Sequence, residues 1–99
     1  MDKITFYFAT GTAGESLILA VLARLGQWLG GFTLVPATGY WSGPDGKMVA
    51  EKSYRLESLQ PERDGNRNLA CEVAEWVRTA FHQESVLMTI ERVDGEFIQ

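Results

Sequence analysis

The chain has 99 residues, a net charge of −4, and apolar and charged fractions that are ordinary for a globular protein. This length leaves room for one domain only, so we expect residues 1–99 to form a single domain. Binding to nucleic acid depends mainly on neutralising phosphates, and an acidic chain with scattered Lys and Arg is not expected to bind DNA or RNA. The longest apolar run, 17–23, is far shorter than the roughly 20 residues of a membrane span, so no membrane association is predicted.

Cysteine usage bears on the cellular compartment. The chain has one cysteine, Cys71, which cannot form an internal disulfide and which fits a reducing interior. The apolar run 17–23 follows Gly11, Gly14 and Glu15 and a strand-like stretch, and this context argues against a secretory signal. We therefore expect a cytoplasmic protein.

The strand and helix signals follow the order β-α-β-β-α-β along the chain. Residues 4–9 are rich in β-branched and aromatic side chains and predict a strand, and residues 15–29 predict a helix that ends at two glycines. The sequence PDG at 44–46 is typical of a turn between two further strands. The remaining predicted elements are strands at 32–41, 48–59 and 85–93 and a helix from Asn66 or Asn68 to about His82.

This order is that of the ferredoxin-like fold, a split βαβ arrangement of the α+β class. We expect a four-stranded antiparallel sheet with two helices on one face, which leaves the other face open. Right-handed crossovers favour this topology over its alternatives. Asp94-Gly95 is a two-residue hairpin signal, which predicts a short fifth strand over 96–99.

A glycine-rich turn opens the first helix, in the stretch FATGTAGES, and raises the question of phosphate binding. Thr12 and Glu15 match the capping box, in which each side chain hydrogen-bonds the backbone N–H of the other residue. These bonds would occupy donors that a phosphate needs, and the Glu15 carboxylate would repel it. The spacing of the nucleotide-binding glycine motifs is also absent. We interpret the turn as a helix cap, although a ligand without full charge could still hydrogen-bond it.

The first predicted helix is apolar on more than one side. Its core stripe suffices to cover the sheet, yet the opposite side carries small and apolar residues in place of charges. These residues are Leu19, Ala20, Ala23 and Gly26. Exposed apolar patches often mark interfaces, so we expect this side to contact a second copy, as in a homodimer, or a protein partner. The alternative is an alanine-rich face exposed to solvent.

Alternation along the strands indicates which residues share the open face of the sheet. If the alternating apolar residues, such as Leu34 and Leu56, face the helices, the residues between them face outward. The candidates for a ligand site are then Tyr7, Trp41, Glu51, Ser53 and Arg55. An aromatic ring beside a carboxylate, a hydroxyl and a guanidinium can bind a small molecule. The same pattern is also that of a polar sheet surface without a function.

No residue pattern predicts catalysis or metal binding. Cys71 and His82 are eleven residues apart on one predicted helix, which separates them by roughly 16 Å along its axis and excludes a catalytic dyad. One histidine and one cysteine do not make a zinc site within a single chain. We therefore predict no catalytic residue, no metal ligand and no cofactor.

Five short motifs stand out along most of the chain. They are GFTLV at 31–35, GYW at 39–41, PDG at 44–46, EKS at 51–53 and FHQESVL at 81–87. Together they resemble a family of small bacterial α+β domains of unknown function. The resemblance implies a shared fold but no activity, and it marks five positions of interest. These positions are Trp41, Glu51, Ser53, Glu84 and Ser85. The first helix differs from the family because it lacks a strongly polar side.

Two functional hypotheses remain. The first is an oligomeric, non-enzymatic binding module that recognises a small molecule or a protein through the open sheet face, for example an accessory protein of a phage or mobile element. The second is a dimeric ferredoxin-like enzyme with a pocket between subunits, in which Glu51 is the general base and Arg55 polarises it. In that enzyme Tyr7 or Ser53 would orient the substrate. The absence of catalytic motifs favours the first hypothesis.

Overall fold

Four antiparallel strands and two helices make up the structure, a computed structural model that describes residues 1–99. In chain order the elements are β1 (Asp2–Ala9), α1 (Glu15–Leu29), β2 (Thr33–Ser42), β3 (Met48–Gln60), α2 (Asn66–Ala80) and β4 (Leu87–Arg92). The strands lie side by side in the order β2-β3-β1-β4, and the helices pack on one face of the sheet. The expected ferredoxin-like fold is confirmed. Neither helix has the length and apolar composition needed to cross a membrane.

The core lies between the helices and the covered face of the sheet. Alternate residues of β1, namely Ile4, Phe6 and Phe8, are almost completely buried. The helices contribute the buried apolar side chains Ile18, Val21, Leu25, Leu29, Ala70, Val73 and Val77. Burial of each large apolar side chain contributes about 1.5–3 kcal/mol to the stability of the fold. A shift of one residue would turn the buried set of a strand toward solvent, so the register is strongly specified.

The hairpin formed by β2 and β3 projects beyond the rest of the sheet. β1 pairs with β3 only as far as Ala9 opposite Ser53, whereas β2 stays paired with β3 as far as Ser42 opposite Met48. Residues 39–51 therefore form a two-stranded segment, which we call the ribbon. The ribbon makes the molecule elongated, with extents of 48 × 28 × 23 Å.

Helix α1 begins differently from the prediction. Gly14 is its N-cap residue and no side chain caps the helix, so the capping box between Thr12 and Glu15 is not formed. The chain instead makes a tight turn, in which the N–H of Ala13 donates to the carbonyl of Thr10 at 3.0 Å. This turn places Thr12 two residues too early in the chain to cap the helix.

Helix α2 starts with a buried asparagine that does not act as its cap. Gly65 is the N-cap residue, and Asn66 is the first helical residue. Nδ2 of Asn66 donates to the Asp2 carboxylate at 2.8 Å and to the Pro61 carbonyl at 2.9 Å. The hydrogen bond from Asn66, together with one from Arg92 at 2.9 Å, holds the pKa of Asp2 below its usual value. The asparagine side chain thus joins α2 to β1. Asn66 lies one residue beyond the N-cap position, and its side-chain oxygen, the group that would accept in a cap, has no hydrogen-bond partner.

Helix α2 ends in a motif that usually contains glycine. The N–H of His82 donates to the carbonyl of Thr79 at 3.2 Å, and the N–H of Gln83 donates to that of Arg78 at 2.9 Å. This is the Schellman pattern, and its left-handed position is occupied by His82 with a φ of 52°. The left-handed backbone costs a residue with a side chain roughly 1–2 kcal/mol, so His82 is strained.

Replacing His82 with glycine is expected to raise the free energy of unfolding by about 0.5–1 kcal/mol. The strain of the left-handed backbone disappears, while glycine adds some entropy to the unfolded chain. Urea denaturation of His82→Gly beside His82→Ala measures the effect, because the alanine variant keeps the strain and should not be stabilised. A glycine variant that is less stable than the wild type would contradict this account.

No fifth strand forms after β4. Residues 93–99 contain no strand, so the hairpin predicted at Asp94-Gly95 is wrong. The backbones of Met1 and Val93 exchange two hydrogen bonds of 3.0 and 2.9 Å, which extend the β1–β4 ladder by one pair. A strand of four residues on the outer edge of β4 would gain too few contacts to offset the entropy lost on ordering the tail.

Candidate functional site

The uncovered face of the sheet carries all five residues that alternation assigned to it. These residues are Tyr7, Trp41, Glu51, Ser53 and Arg55. The register sets Tyr7 opposite Arg55 on neighbouring strands, and Gly39 opposite Glu51 within the ribbon. Tyr7 is 42% exposed between two buried residues of β1, which identifies its side of the sheet as the face that the helices leave open.

Three of the five residues meet in a cleft of about 310 Å³ at the base of the ribbon, which we call the Trp41 cleft. Its volume is at the lower end of the range of about 300–1,000 Å³ for small-ligand pockets. The lining comes from the end of β1, from the ribbon and β3, and from the loop between α2 and β4. It consists of Ala9, Gly39, Tyr40, Trp41, Glu51, Ser53, Gln83, Glu84 and Ser85. All five positions marked by the family resemblance therefore lie in one cleft.

The cleft presents two carboxylates that have no partner in the protein. The side chains of Glu51 and Glu84 form neither a hydrogen bond nor an ion pair, and no Lys or Arg lines the cleft. Lys52, next to Glu51 in sequence, points the other way, with Nζ 5.7 Å from the centre of the Tyr54 ring. The local field is therefore negative, and it attracts cations and hydrogen-bond donors but repels phosphates.

Gly39 lies directly against the Ser53 side chain in the cleft. A Cβ atom at this position would lie 2.7 Å from Oγ of Ser53, which is closer than real Cβ atoms approach another heavy atom. The Ser53 hydroxyl donates to the backbone carbonyl of Glu51 at 3.2 Å. The absence of a side chain at Gly39 thus leaves the space that the Ser53 hydroxyl occupies. A glycine inside a predicted strand is a signal for such close approach, and sequence reasoning did not use it.

The loop wall of the cleft is held by the end of α2 and by the turn after β1. Arg78 donates to the carbonyl of Gln83 at 3.2 Å. Arg78 also donates two hydrogen bonds to Glu75, which lower the pKa of Glu75 and raise that of Arg78. Gln83 lies beside the turn after β1, since a Cβ on Gly11 would be 3.1 Å from its Nε2. The glycine turn therefore lies next to the loop that lines the cleft.

Tyr7 and Arg55 lie on the open face but do not line the cleft. Nε of Arg55 is 2.9 Å from a carboxylate oxygen of Glu57, an ion pair in which the N–H is not directed at an acceptor. Glu51 is four residues away along β3, roughly 13 Å. Arg55 is thus paired with Glu57, and the hypothesis that it polarises Glu51 does not fit this arrangement.

A larger cleft of about 820 Å³ lies at the opposite end of the sheet. Several of its polar side chains already have partners in the protein. Lys3 pairs with Glu57 at 3.9 Å, and Nε2 of Gln60 donates to the carbonyl of Leu29 at 2.8 Å. The larger cleft has one carboxylate without a partner, that of Asp94, whereas the Trp41 cleft has two, so the smaller cleft is the better candidate for a ligand site.

Residues suited to metal binding or nucleophilic chemistry are dispersed. No three His, Cys, Asp or Glu side chains lie close enough together to hold a metal ion. Cys71 is exposed within α2, and His82 lies beyond the end of that helix. These positions bring the two side chains to different parts of the molecule, and neither lines the Trp41 cleft.

The α1 residues predicted to form an interface are accessible in the single chain. Leu19 is 58% exposed, Ala20 and Ala23 are also exposed, and Gly26 is partly buried. The guanidinium carbon of Arg24 lies 4.8 Å from the centre of a Trp28 ring on the same helix. The interface on this face of α1 stays a prediction.

The fold recurs in solved structures of low sequence identity. A phage SAM lyase in complex with S-methyl-5'-thioadenosine is 17% identical, with 91% of this chain and 79% of that chain covered and a TM-score of 0.72. The periplasmic divalent cation tolerance protein CutA from Archaeoglobus fulgidus is 11% identical, with 98% and 88% covered and a TM-score of 0.67. The divalent cation tolerance protein Cut A1 from Thermus thermophilus is 12% identical, with 97% and 88% covered and a TM-score of 0.66. At these identities the likeness establishes the fold alone.

Comparison by sequence gives a family but no characterised relative. No curated protein matches the chain. A family model described as a protein of unknown function (DUF3574) matches residues 23–97, about three quarters of the chain. The matched range contains every residue that lines the Trp41 cleft except Ala9. The chain therefore belongs to the DUF3574 family of proteins of unknown function.

Proposed function

We propose that this protein is a small-molecule-binding module whose ligand occupies the Trp41 cleft. The observation that carries the proposal is the pair of unpartnered carboxylates, Glu51 and Glu84, beside Trp41 in a cleft of about 310 Å³. Ligand sites combine apolar or aromatic surface with a few polar groups that are free to orient the ligand. The hydroxyls of Ser53 and Ser85 add such groups to the same cleft.

The charge of the cleft narrows the chemistry of the ligand. Two carboxylates without a nearby cation favour a neutral or positively charged molecule that carries hydrogen-bond donors. The indole of Trp41 can stack on a heterocycle or attract a cation to its face. A phage SAM lyase of the same fold was solved with S-methyl-5'-thioadenosine, an uncharged nucleoside with ribose hydroxyls, and this supports a nucleoside-like ligand.

A nuclear magnetic resonance titration tests the proposal residue by residue. The probes are S-methyl-5'-thioadenosine and a panel of uncharged nucleosides and small organic amines. We expect a binding probe to shift the backbone amide signals of Gly39, Ser53 and Ser85. Glu51→Gln should raise the dissociation constant at least about tenfold, since hydrogen bonds to a charged group contribute about 1.5–3 kcal/mol.

Glu57→Gln is the matched control, because Glu57 carries the same group on the same face outside the cleft. Binding by this variant should equal that of the wild type. The proposal fails if no probe of the panel shifts the cleft amides, or if Glu51→Gln binds as tightly as Glu57→Gln. Shifts confined to residues 30–33 would instead assign the ligand to the larger cleft.

A further inference from the structure

The single chain exposes more surface than a protein of its size usually does. Its accessible surface is 6607 Å² for a mass of 11.0 kDa. A folded monomer of this mass exposes about 5,600 Å² on average, so the surplus is about 1,000 Å². The radius of gyration of 14.4 Å likewise exceeds the value of about 13 Å for a compact chain of this length. Part of the molecule therefore lies outside its compact body.

That part consists of the ribbon and the mostly exposed C-terminal tail 93–99, and the ribbon exposes large apolar side chains. Tyr40 and Met48 are 68% and 67% exposed, and Trp41 is 46% exposed. Tyr40 and Trp41 are neighbours in β2 and point to opposite faces, so the ribbon exposes an aromatic ring on each side. A two-stranded hairpin is only marginally stable in water without a third strand or a packed face. The ribbon has neither within the single chain.

The outer edge of β2 is open along its whole length. All ten residues of β2 are uncharged, whereas the other edge strand, β4, contains Glu91 and Arg92. The N–H of Gly43 points inward to Lys47. Backbone groups alternate in direction along a strand, so those of the even-numbered residues of β2 point outward. Pro36 has no N–H, so the outward N–H groups on its ribbon side are those of Thr38, Tyr40 and Ser42. A long, uncharged edge with free backbone groups is a template for pairing with another strand.

From these features we infer that a second copy of this chain covers the outer edge of β2 and the Trp41 side of the ribbon. The surplus surface matches the roughly 800 Å² that each partner contributes to a stable protein interface. Each copy has a net charge of −4, so a surface shared by two copies must be low in charge. All ten residues of β2 are uncharged, and the strands of the ribbon place one carboxylate, that of Glu51, on the Trp41 side. A basic protein would be drawn instead to the acidic remainder of the surface.

This placement makes the Trp41 cleft a site between copies. Trp41 lines the cleft and also lies on the covered side of the ribbon. The second copy therefore closes the cleft on its ribbon side and contributes surface to it. The inference concerns assembly and can fail separately from the proposed function. A monomer that binds the ligand would support the proposed function and would refute the inferred assembly.

Light scattering and amide hydrogen exchange of the full chain test the inference. We expect a mass at least twice the 11.0 kDa of the chain at micromolar concentration, and slow exchange at the amides of Thr38 and Tyr40. Thr38→Lys places a charge on the exposed β2 edge and should raise the dissociation constant about tenfold or more. Thr89→Lys makes the same change on the other edge strand, β4, and should leave the mass unchanged. Ala23→Lys places a charge on the exposed face of α1 and tests the interface predicted there.

Each contrary result overturns the inference. A monomer at high micromolar concentration excludes the second copy. Fast exchange at the outward amides of β2 in an oligomeric wild type excludes pairing at that edge, and this measurement needs no variant. An oligomer that Ala23→Lys dissociates and Thr38→Lys does not dissociate assigns the interface to α1 instead.

Discussion

Phe81→Ala is expected to lower the free energy of unfolding by about 3–5 kcal/mol, the usual cost of truncating a buried phenylalanine. Phe81 is 4% exposed, and its ring stacks on that of Phe8 with 5.7 Å between ring centres. The truncation leaves a cavity between β1 and the end of α2. Urea denaturation measures the loss, which is a large share of a total stability of about 5–15 kcal/mol.

The same variant should weaken ligand binding, because Phe81 directly precedes the loop 83–85 that lines the Trp41 cleft. Phe97→Ala is the control, an identical chemical change at a side chain that is 66% exposed. It should change the free energy of unfolding by less than about 0.5 kcal/mol. Equal stability of the two variants would show that the Phe81 ring does not anchor the loop.

Gly39→Ala is expected to lower the free energy of unfolding by about 1–3 kcal/mol, because the methyl group of the alanine would overlap the Ser53 hydroxyl. A Cβ atom at this position has only 2.7 Å to Oγ of Ser53, so the hydroxyl must rotate away or the strands must separate. Either response changes the wall of the Trp41 cleft. Denaturation measures the cost, and a ligand titration should show weaker binding.

A double-mutant cycle separates this overlap from a general cost of alanine in the ribbon. Ser53→Ala alone removes one partly buried hydrogen bond of 3.2 Å and should lower the free energy of unfolding by about 0.5–1.5 kcal/mol. The double variant Gly39→Ala, Ser53→Ala has no hydroxyl to displace, so it should be more stable than the sum of the single effects predicts. Additive effects would mean that the two residues do not compete for the same space.

The order of strands and helices was enough to predict the fold, and the alternation of side chains along the strands was enough to predict the two faces of the sheet. Phe6 and Leu56 are apolar at alternate positions of long strands, and burial of such sets specifies which face the helices cover. The assignment of Trp41, Glu51 and Ser53 to the open face followed from the same rule without knowledge of the register. Such patterns depend on many residues at once, and one local exception does not change them.

The helix starts could not be predicted in the same way, because a cap depends on a single side chain. Thr12 has the right chemistry, but a turn two residues before the helix takes it out of reach. Asn66 has the right chemistry too, yet its amide bonds to Asp2, which is distant in sequence. A local turn therefore prevents the predicted cap at α1, and a contact distant in sequence fixes the asparagine at α2.

The candidate site was predictable from one side only. Alternation assigned Trp41, Glu51 and Ser53 to the open face, but the opposite wall of the cleft is a loop that follows a helix. Its approach to the ribbon depends on the contact of Phe81 with Phe8, for which the sequence has no local signal. Only the family resemblance marked Glu84 and Ser85. Its motif FHQESVL also contains Gln83, which was not among the marked positions.

The central position of β1 has a consequence for how the chain folds. Asp2 lies opposite Gln60 of β3 and Arg92 of β4, so the first strand completes its pairings only with residues near the other end of the chain. Closing such long loops slows folding, whereas β2 and β3 can pair as soon as their own turn has formed. During synthesis the apolar stretch 4–9 stays without its neighbouring strands until β3 has left the ribosome. We expect this stretch to be where aggregation of nascent or misfolded chains begins.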